Sequence, residues 1–175
     1  MLSDSTISYY SEFGGTVRNT DGIGIETLPI DEFTGNDPHD ILLIPGGRGT
    51  RTEVNNFGFT DKIKYAADKC TYVLTVCTGS ALLSRTGLLN GLEATSNKRA
   101  FDWVVSCNDK VRWVKKARWV VADKYYTSSG ISAGIDMSLG FVSDIYGEDT
   151  ADQIARIMEY IRNKNCEDDE FANIS

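Results

Sequence analysis

Ile41-Leu42-Leu43-Ile44-Pro45-Gly46-Gly47 and Thr71-Tyr72-Val73-Leu74-Thr75-Val76-Cys77-Thr78-Gly79-Ser80 are the stretches on which the architecture turns. Each is a short β-rich run with an abrupt end, the first at a Pro-Gly-Gly turn and the second at a cysteine followed by small residues. Four consecutive apolar side chains, Ile41 to Ile44, are the pattern of a strand covered on both faces, and such strands belong to parallel sheets. Between the two runs, Thr60 is a candidate N-cap for a helix through Cys70 in which Ile63, Ala66 and Ala67 form an apolar stripe. Strand, helix, strand is the crossover that parallel strands require. Ala81-Leu82-Leu83 then opens a helix without a spacer, ending near Gly87 or Gly91.

Outward from this centre, Thr6 to Tyr10 and Ile23 to Thr27 read as short strands, punctuated by Gly14, Gly15 and Asp21-Gly22. Asn97 to Val105 reads as a short helix, and Arg118 to Val121 with Tyr125 to Ser128 as a hairpin around Ala122-Asp123-Lys124. A helix from Ser132 carries Ile135, Leu139 and Val142 on one side and Met137, Phe141 and Ile145 on another, which predicts burial. Glu148 to Asn163 is amphipathic: Ile154, Ile157, Met158 and Ile161 should cover the sheet, with Asp152, Arg156, Glu159 and Arg162 facing away. Alternating strands and helices give an α/β three-layer sandwich with a mostly parallel central sheet, and residues 1–175 read as a single domain.

Composition agrees with a globular protein. The 175 residues are 41% hydrophobic and 25% charged, with a net charge of −7, a surface that repels phosphate backbones and anionic headgroups. Nucleic acid and membrane are therefore not expected partners. The start, MLSDSTISYY, lacks the basic and apolar blocks of a signal peptide, and the expected compartment is the cytoplasm. Cys70, Cys77, Cys107 and Cys166 are far apart with one histidine, His39, so free thiols and no metal site are expected. No glycine-rich phosphate fingerprint is present and no cofactor is expected. Arg112, Lys115, Lys116 and Arg118, interleaved with Trp113 and Trp119, read as a solvated face, and Glu167 to Glu170 as a solvated tail.

Chemistry concentrates at Cys77. A thiol between a buried strand and the first turn of a helix sits where backbone N–H groups lack partners, a setting that favours the thiolate. Gly46 and Gly47 fall at the carboxyl end of the neighbouring strand, where open α/β sheets bind ligands. Lacking Cβ atoms, they can bring their N–H groups close and, with that of Thr78, form a hole for developing negative charge. His39 lies at the amino end of that strand, with the strand's full length, at about 3.3 Å per residue, between it and the glycines; that is too far to act as base for Cys77 and suits a turn. Addition of the thiolate to a small electrophile fits better than amide hydrolysis.

Ile44-Pro45-Gly46-Gly47, Val76-Cys77-Thr78-Gly79-Ser80, Thr127-Ser128-Ser129-Gly130 and Ala133-Gly134-Ile135-Asp136 together resemble the ThiJ/PfpI superfamily, a flavodoxin-like, class I glutamine amidotransferase-like fold. The elbow, followed by Gly87-Leu88-Leu89 and Ala94-Thr95, is most similar to isocyanide hydratase-like members, with similarity from about Ile7 to Ala172. The resemblance implies Cys77 as nucleophile, Gly46 and Gly47 as the oxyanion segment, Thr78 lining the pocket, and Ser129 and Gly130 on a loop beside it. It also implies a homodimer and hydration of an isocyanide to an N-substituted formamide without a cofactor, while Asp136 within the last of these motifs reads as a buried polar cap. Family members begin with a strand and a helix bearing a Glu or Asp on the elbow cysteine; Met1 corresponds to a point after both, as in a chain truncated at its N-terminus. A redox or ligand-sensing protein, or an inactive homologue, is the alternative.

Overall fold

The computed structural model describes residues 5–19, 21–35 and 37–173. Met1 to Asp4, part of the stretch read for a signal peptide, lie outside them. In chain order the elements are β1 (Tyr10–Ser11), β2 (Gly15–Arg18), β3 (Gly24–Pro29), β4 (Ile41–Ile44), α1 (Thr50–Glu53), α2 (Phe57–Lys69), β5 (Tyr72–Thr75) and α3 (Gly79–Arg85). They continue with β6 (Glu93–Ala94), α4 (Phe101–Cys107), β7 (Arg112–Trp113), β8 (Trp119–Ala122), β9 (Tyr125–Ser128), α5 (Ile131–Tyr146) and α6 (Glu148–Ile157).

The central sheet has the order β4-β5-β9-β8, with β4, β5 and β9 parallel and β8 antiparallel to β9. Alternation along β5 divides the core into two layers. Val73 joins Ile63, Ala67, Leu83 and Val104 on the side of α2, α3 and α4; Leu74 joins Trp119, Tyr126, Met137 and Phe141 on the side of α5. Tyr72, Tyr126 and Phe141 meet edge to face at 5.1–6.3 Å between centroids, a geometry that adds to their burial. The hairpin expected around Ala122-Asp123-Lys124 is present, with Asp123 at φ 55 supplying the turn. No helix among the described residues is long and apolar enough to cross a membrane.

Several expectations are corrected. Asn56, not Thr60, caps α2: its side chain accepts from the Phe59 N–H at 3.1 Å, while Thr60 sits inside the helix donating to the Phe57 carbonyl. The first strand is only Tyr10–Ser11, paired with β3, and residues 15–18 form a strand against β3 that the glycine punctuation concealed. Ser132 lies within α5, whose N-cap is Gly130. β4 is covered on one face only: Ile44 is buried, but Ile41 and Leu43 are 47% and 51% exposed, because α5 packs over β9 and β8.

The last helix is shorter than its periodicity predicts. Glu159 adopts φ 52, its N–H bonds the Arg156 carbonyl and that of Tyr160 reaches the Ala155 carbonyl, the paired bonds of a Schellman stop. α6 packs on α5 through Ala151 and Ala155, small enough for close approach, so Ile157, Met158 and Ile161 face water instead of the sheet. Arg162, expected outside, is buried between Glu148 and Asp152.

Candidate functional site

The end of β5 is tied to the end of β4: the Val76 N–H donates to the Ile44 carbonyl at 3.1 Å. At Cys77 the chain turns through φ 58, a left-handed conformation that costs a non-glycine residue energy and persists only where neighbours hold it. Three tethers do so. The Cys77 N–H donates to the Ser129 carbonyl at 3.0 Å, and the Cys77 carbonyl accepts from the hydroxyls of Ser96 at 2.9 Å and Ser80 at 3.2 Å. α3 begins two residues later, so the sulfur stands at the top of the sheet, half-buried and unpaired with any other cysteine.

Two glycines permit this crossing. A Cβ on Gly79 would lie 2.3 Å from the Ile44 carbonyl oxygen, and one on Gly46 would lie 2.7 Å from the Thr78 nitrogen and 2.8 Å from the Cys77 Cβ. The diglycine turn and the elbow are thus in backbone contact, as the sequence predicts. One detail differs: the Gly47 N–H is committed to the Thr78 hydroxyl at 3.0 Å, and that hydroxyl also accepts from Thr50 at 3.0 Å. Of the three amides expected to form a hole, those of Gly46 and Thr78 meet no acceptor among the described residues, and that of Gly47 does.

Ser129 and Gly130 are adjacent to the elbow, with Ser129 buried at the end of β9. They line a cavity of about 150 Å³ together with Asn97, Lys98, Arg118 and Asp169. Cys77 itself does not line this cavity. A larger cavity of about 480 Å³ lies between the ends of α3 and α4, beside Arg85, Asn90, Cys107 and Lys110, and no expected site residue reaches it. His39 is exposed, its N–H on the Asp37 carboxylate at 2.8 Å, in a turn as predicted.

Beside the smaller cavity the charges are paired and buried. Asp136, fully buried, accepts from Arg118 Nε at 2.8 Å and Nη2 at 2.6 Å, from the Tyr160 hydroxyl at 3.1 Å and from the Asn163 N–H at 2.8 Å. Asp169 stands 3.6 Å from Arg118 Nη1 and 3.8 Å from Lys98 Nζ. Lys98 donates to the Ala117 carbonyl at 2.5 Å and to the Thr95 hydroxyl at 3.0 Å, and burial outweighs the pull of Asp169, lowering its pKa to about 8. Arg118 and Asp169 are thus neither part of a solvated face nor of a solvated tail. Among the other cysteines, burial pushes Cys70 up to about 11 and raises Cys107.

Sequence reasoning missed Ser96, Thr50, Asn97, Lys98, Arg118 and Asp169. Ser96 follows Ala94-Thr95, two residues already noted, and was within reach of a local reading. The Arg118–Asp136 pair joins positions 18 residues apart, Lys98 and Asp169 lie farther apart still, and neither contact has a local signature.

Residues 4–144 match the DJ-1/PfpI family. The chain belongs to that family. Its architecture is accordingly the class I glutamine amidotransferase-like α/β sandwich that the elbow and diglycine turn resemble. It is 31% identical over 141 residues to a curated protein, an isonitrile hydratase of Pseudomonas putida, a match that covers 81% of this chain and 60% of that protein. A ThiJ/PfpI family protein from Pseudomonas syringae superposes with a TM-score of 0.78 at 24% identity, over 90% of this chain and 64% of that one. Drosophila melanogaster DJ-1beta superposes with a TM-score of 0.69 at 16% identity, over 85% of this chain and 78% of that one. The chain thus spans less than two thirds of the length of the isonitrile hydratase and of the P. syringae protein.

Proposed function

We propose that this DJ-1/PfpI protein is a cofactor-independent cysteine enzyme that hydrates a small electrophile, an isocyanide giving an N-substituted formamide. The observation that carries this reading is the Cys77 elbow at φ 58 with the Gly46 backbone packed against it, where the N–H groups of Gly46 and Thr78 meet no acceptor among the described residues. The similarity to an isonitrile hydratase supports the substrate class. The Cys77 thiolate adds to the terminal isocyanide carbon, forming the C–S bond, and that carbon takes a proton to give a thioimidate. Water then adds to the same carbon, one of its protons going to the nitrogen, and collapse of the tetrahedral adduct expels the thiolate while the hydroxyl proton returns to solvent, replacing the one taken up at the carbon. Only the isocyanide and water enter, and only the formamide leaves. The Gly46 and Thr78 amides would stabilise the oxygen-bearing adduct, each worth on the order of 2 to 4 kcal/mol in such settings. A homodimer acting on small molecules completes the proposal.

The test is formation of formamide from an aryl isocyanide, followed by NMR, by the purified protein and by Cys77→Ala. Wild-type turnover with a loss on the order of a hundredfold or more in the variant is expected; equal rates would remove Cys77 from the mechanism.

A second reading is favoured by the setting of Cys77, a half-buried thiol with no side chain hydrogen-bonded to its sulfur among the described residues. In that reading Cys77 oxidises to a sulfenic or sulfinic acid held by the same two amides, as a redox sensor. Mass spectrometry after mild peroxide then shows oxygen added at Cys77 before Cys107 or Cys166; indiscriminate oxidation rejects it.

A further inference from the structure

The strain at Cys77 must be balanced by something rigid, and following its tethers outward leads to one buried side chain. The Cys77 N–H donates to the Ser129 carbonyl at 3.0 Å, and the Ser129 N–H donates to the Arg118 carbonyl at 2.9 Å. Ser129 is 2% exposed, so neither bond competes readily with water. Arg118 therefore stands one residue removed from the elbow.

Arg118 is fixed from two directions, through its side chain and through its main chain. One oxygen of Asp136 in α5, Oδ2, takes two N–H groups of the guanidinium plane, Nε and Nη2, a pair of fixed donors that a lysine ammonium lacks. Asp136 is itself fixed by the Tyr160 hydroxyl and the Asn163 N–H, which arrive after the Schellman stop of α6. From the other side, the Arg118 N–H donates to the Cys166 carbonyl at 2.8 Å, and Asp169 approaches Nη1 at 3.6 Å. A buried ion pair of this kind is often no more stable than a well-packed apolar pair, so stability alone is a weak reason for it. What the pair supplies here is a fixed location for the Arg118 main chain.

We infer that Arg118, held by Asp136, is a positioning residue for Cys77, acting through the main chain of Ser129. The inference rests on the reading of Cys77 as the reactive thiol. Loosening the Arg118 main chain lets Ser129 drift, lengthens the bond to the Cys77 N–H, and lets the left-handed elbow relax away from Gly46. The sulfur then loses its place beside the Gly46 and Thr78 amides.

The experiment compares wild-type protein with the double variant Arg118→Met/Asp136→Asn, which removes both charges of the pair so that neither is left buried alone. The amide introduced by Asp136→Asn can still accept from the Tyr160 hydroxyl and the Asn163 N–H, while Asp169 keeps Lys98 as its partner. Two quantities are read: the pH profile of Cys77 alkylation by iodoacetamide, located by mass spectrometry, and hydrogen exchange at the Cys77 amide. In the folded double variant, Cys77 alkylation is expected to slow on the order of tenfold with a displaced pH profile. Its amide should exchange faster, while the Val73 amide in the middle of β5 keeps its protection. An unchanged alkylation profile in a folded variant overturns the inference, whether or not exchange is faster. Should the double variant fail to fold, Arg118→Lys keeps the charge but loses the two-bond contact; the same changes in smaller measure support the inference, and a wild-type profile overturns it. Wild-type Cys77 that alkylates no faster than Cys166 refutes the nucleophile reading instead, and the exchange at its amide still reports whether Arg118 holds the tether.

Discussion

Leu43 and Leu74 are neighbours in register on adjacent strands and point to the same face of the sheet, yet Leu43 is 51% exposed and Leu74 only 4%. The pair marks the boundary between two flanks of the molecule. On the β8 flank, α5, the segment around Cys166 to Asp169 and the Arg118–Asp136 pair close over the sheet. On the β4 flank the edge strand has no second neighbour among the described residues, and its outward side chains meet water. Both flanks touch the Cys77 elbow, one through Ser129 and the other through Gly46. The difference teaches that burial on this face of the sheet is decided by the reach of α5, and that the closed flank holds the Ser129 tether of the elbow.

The comparison is broken most severely by Asp136→Ala, which leaves Arg118 buried without its carboxylate and strands two further donors. A loss of about 3 to 5 kcal/mol is expected by urea denaturation. Next comes the leucine pair itself. Leu74→Ala should cost about 2 to 5 kcal/mol, as deletions in a packed layer do, whereas Leu43→Ala should cost less than about 1 kcal/mol because water already reaches that side chain. Equal losses at the two positions would contradict the assignment of one flank as open.

The pH dependence sharpens the contrast further. Lys98 titrates in the folded chain near 8 and in the unfolded chain near its ordinary 10.5. Between those values the unfolded state binds more protons, so this lysine makes stability rise with pH from about 8 to 10.5. Cys70 acts oppositely: raised from 9.0 to about 11, it binds its proton more firmly when folded, and its contribution falls as pH passes from 9.0 to about 11. Lys98→Met should therefore remove the rising component, seen as a more negative slope of unfolding free energy against pH above about 8. The smallest effect belongs to Ile161→Lys: at 96% exposure, the change should stay within about 0.5 kcal/mol.

How much of this was legible depends on the distance over which each feature is specified. The elbow was legible because Cys77-Thr78-Gly79-Ser80 carries its own turn chemistry, and the diglycine turn because Pro45-Gly46-Gly47 ends an apolar run. The hairpin at Asp123 was local in the same sense. The open face of β4 was not legible, since Ile41 to Ile44 gives the same apolar pattern whether a helix covers it or not. In α6, isoleucine periodicity pointed one way and the two alanines another; close packing against α5 selected the alanine face. The commitment of the Gly47 N–H to Thr78 also lay beyond sequence, because a hydroxyl 31 residues away leaves no mark on the local pattern.

That commitment has a kinetic consequence. Thr50, Thr78 and the Gly47 main chain form one cluster in which the single Thr50 hydroxyl proton is shared between the Gly47 carbonyl, at 2.7 Å, and the Thr78 hydroxyl. A turn is ordinarily where solvent deuterium enters first. Here the corner should behave as though it were an extra rung of the ladder between β4 and β5, its label arriving late and leaving late.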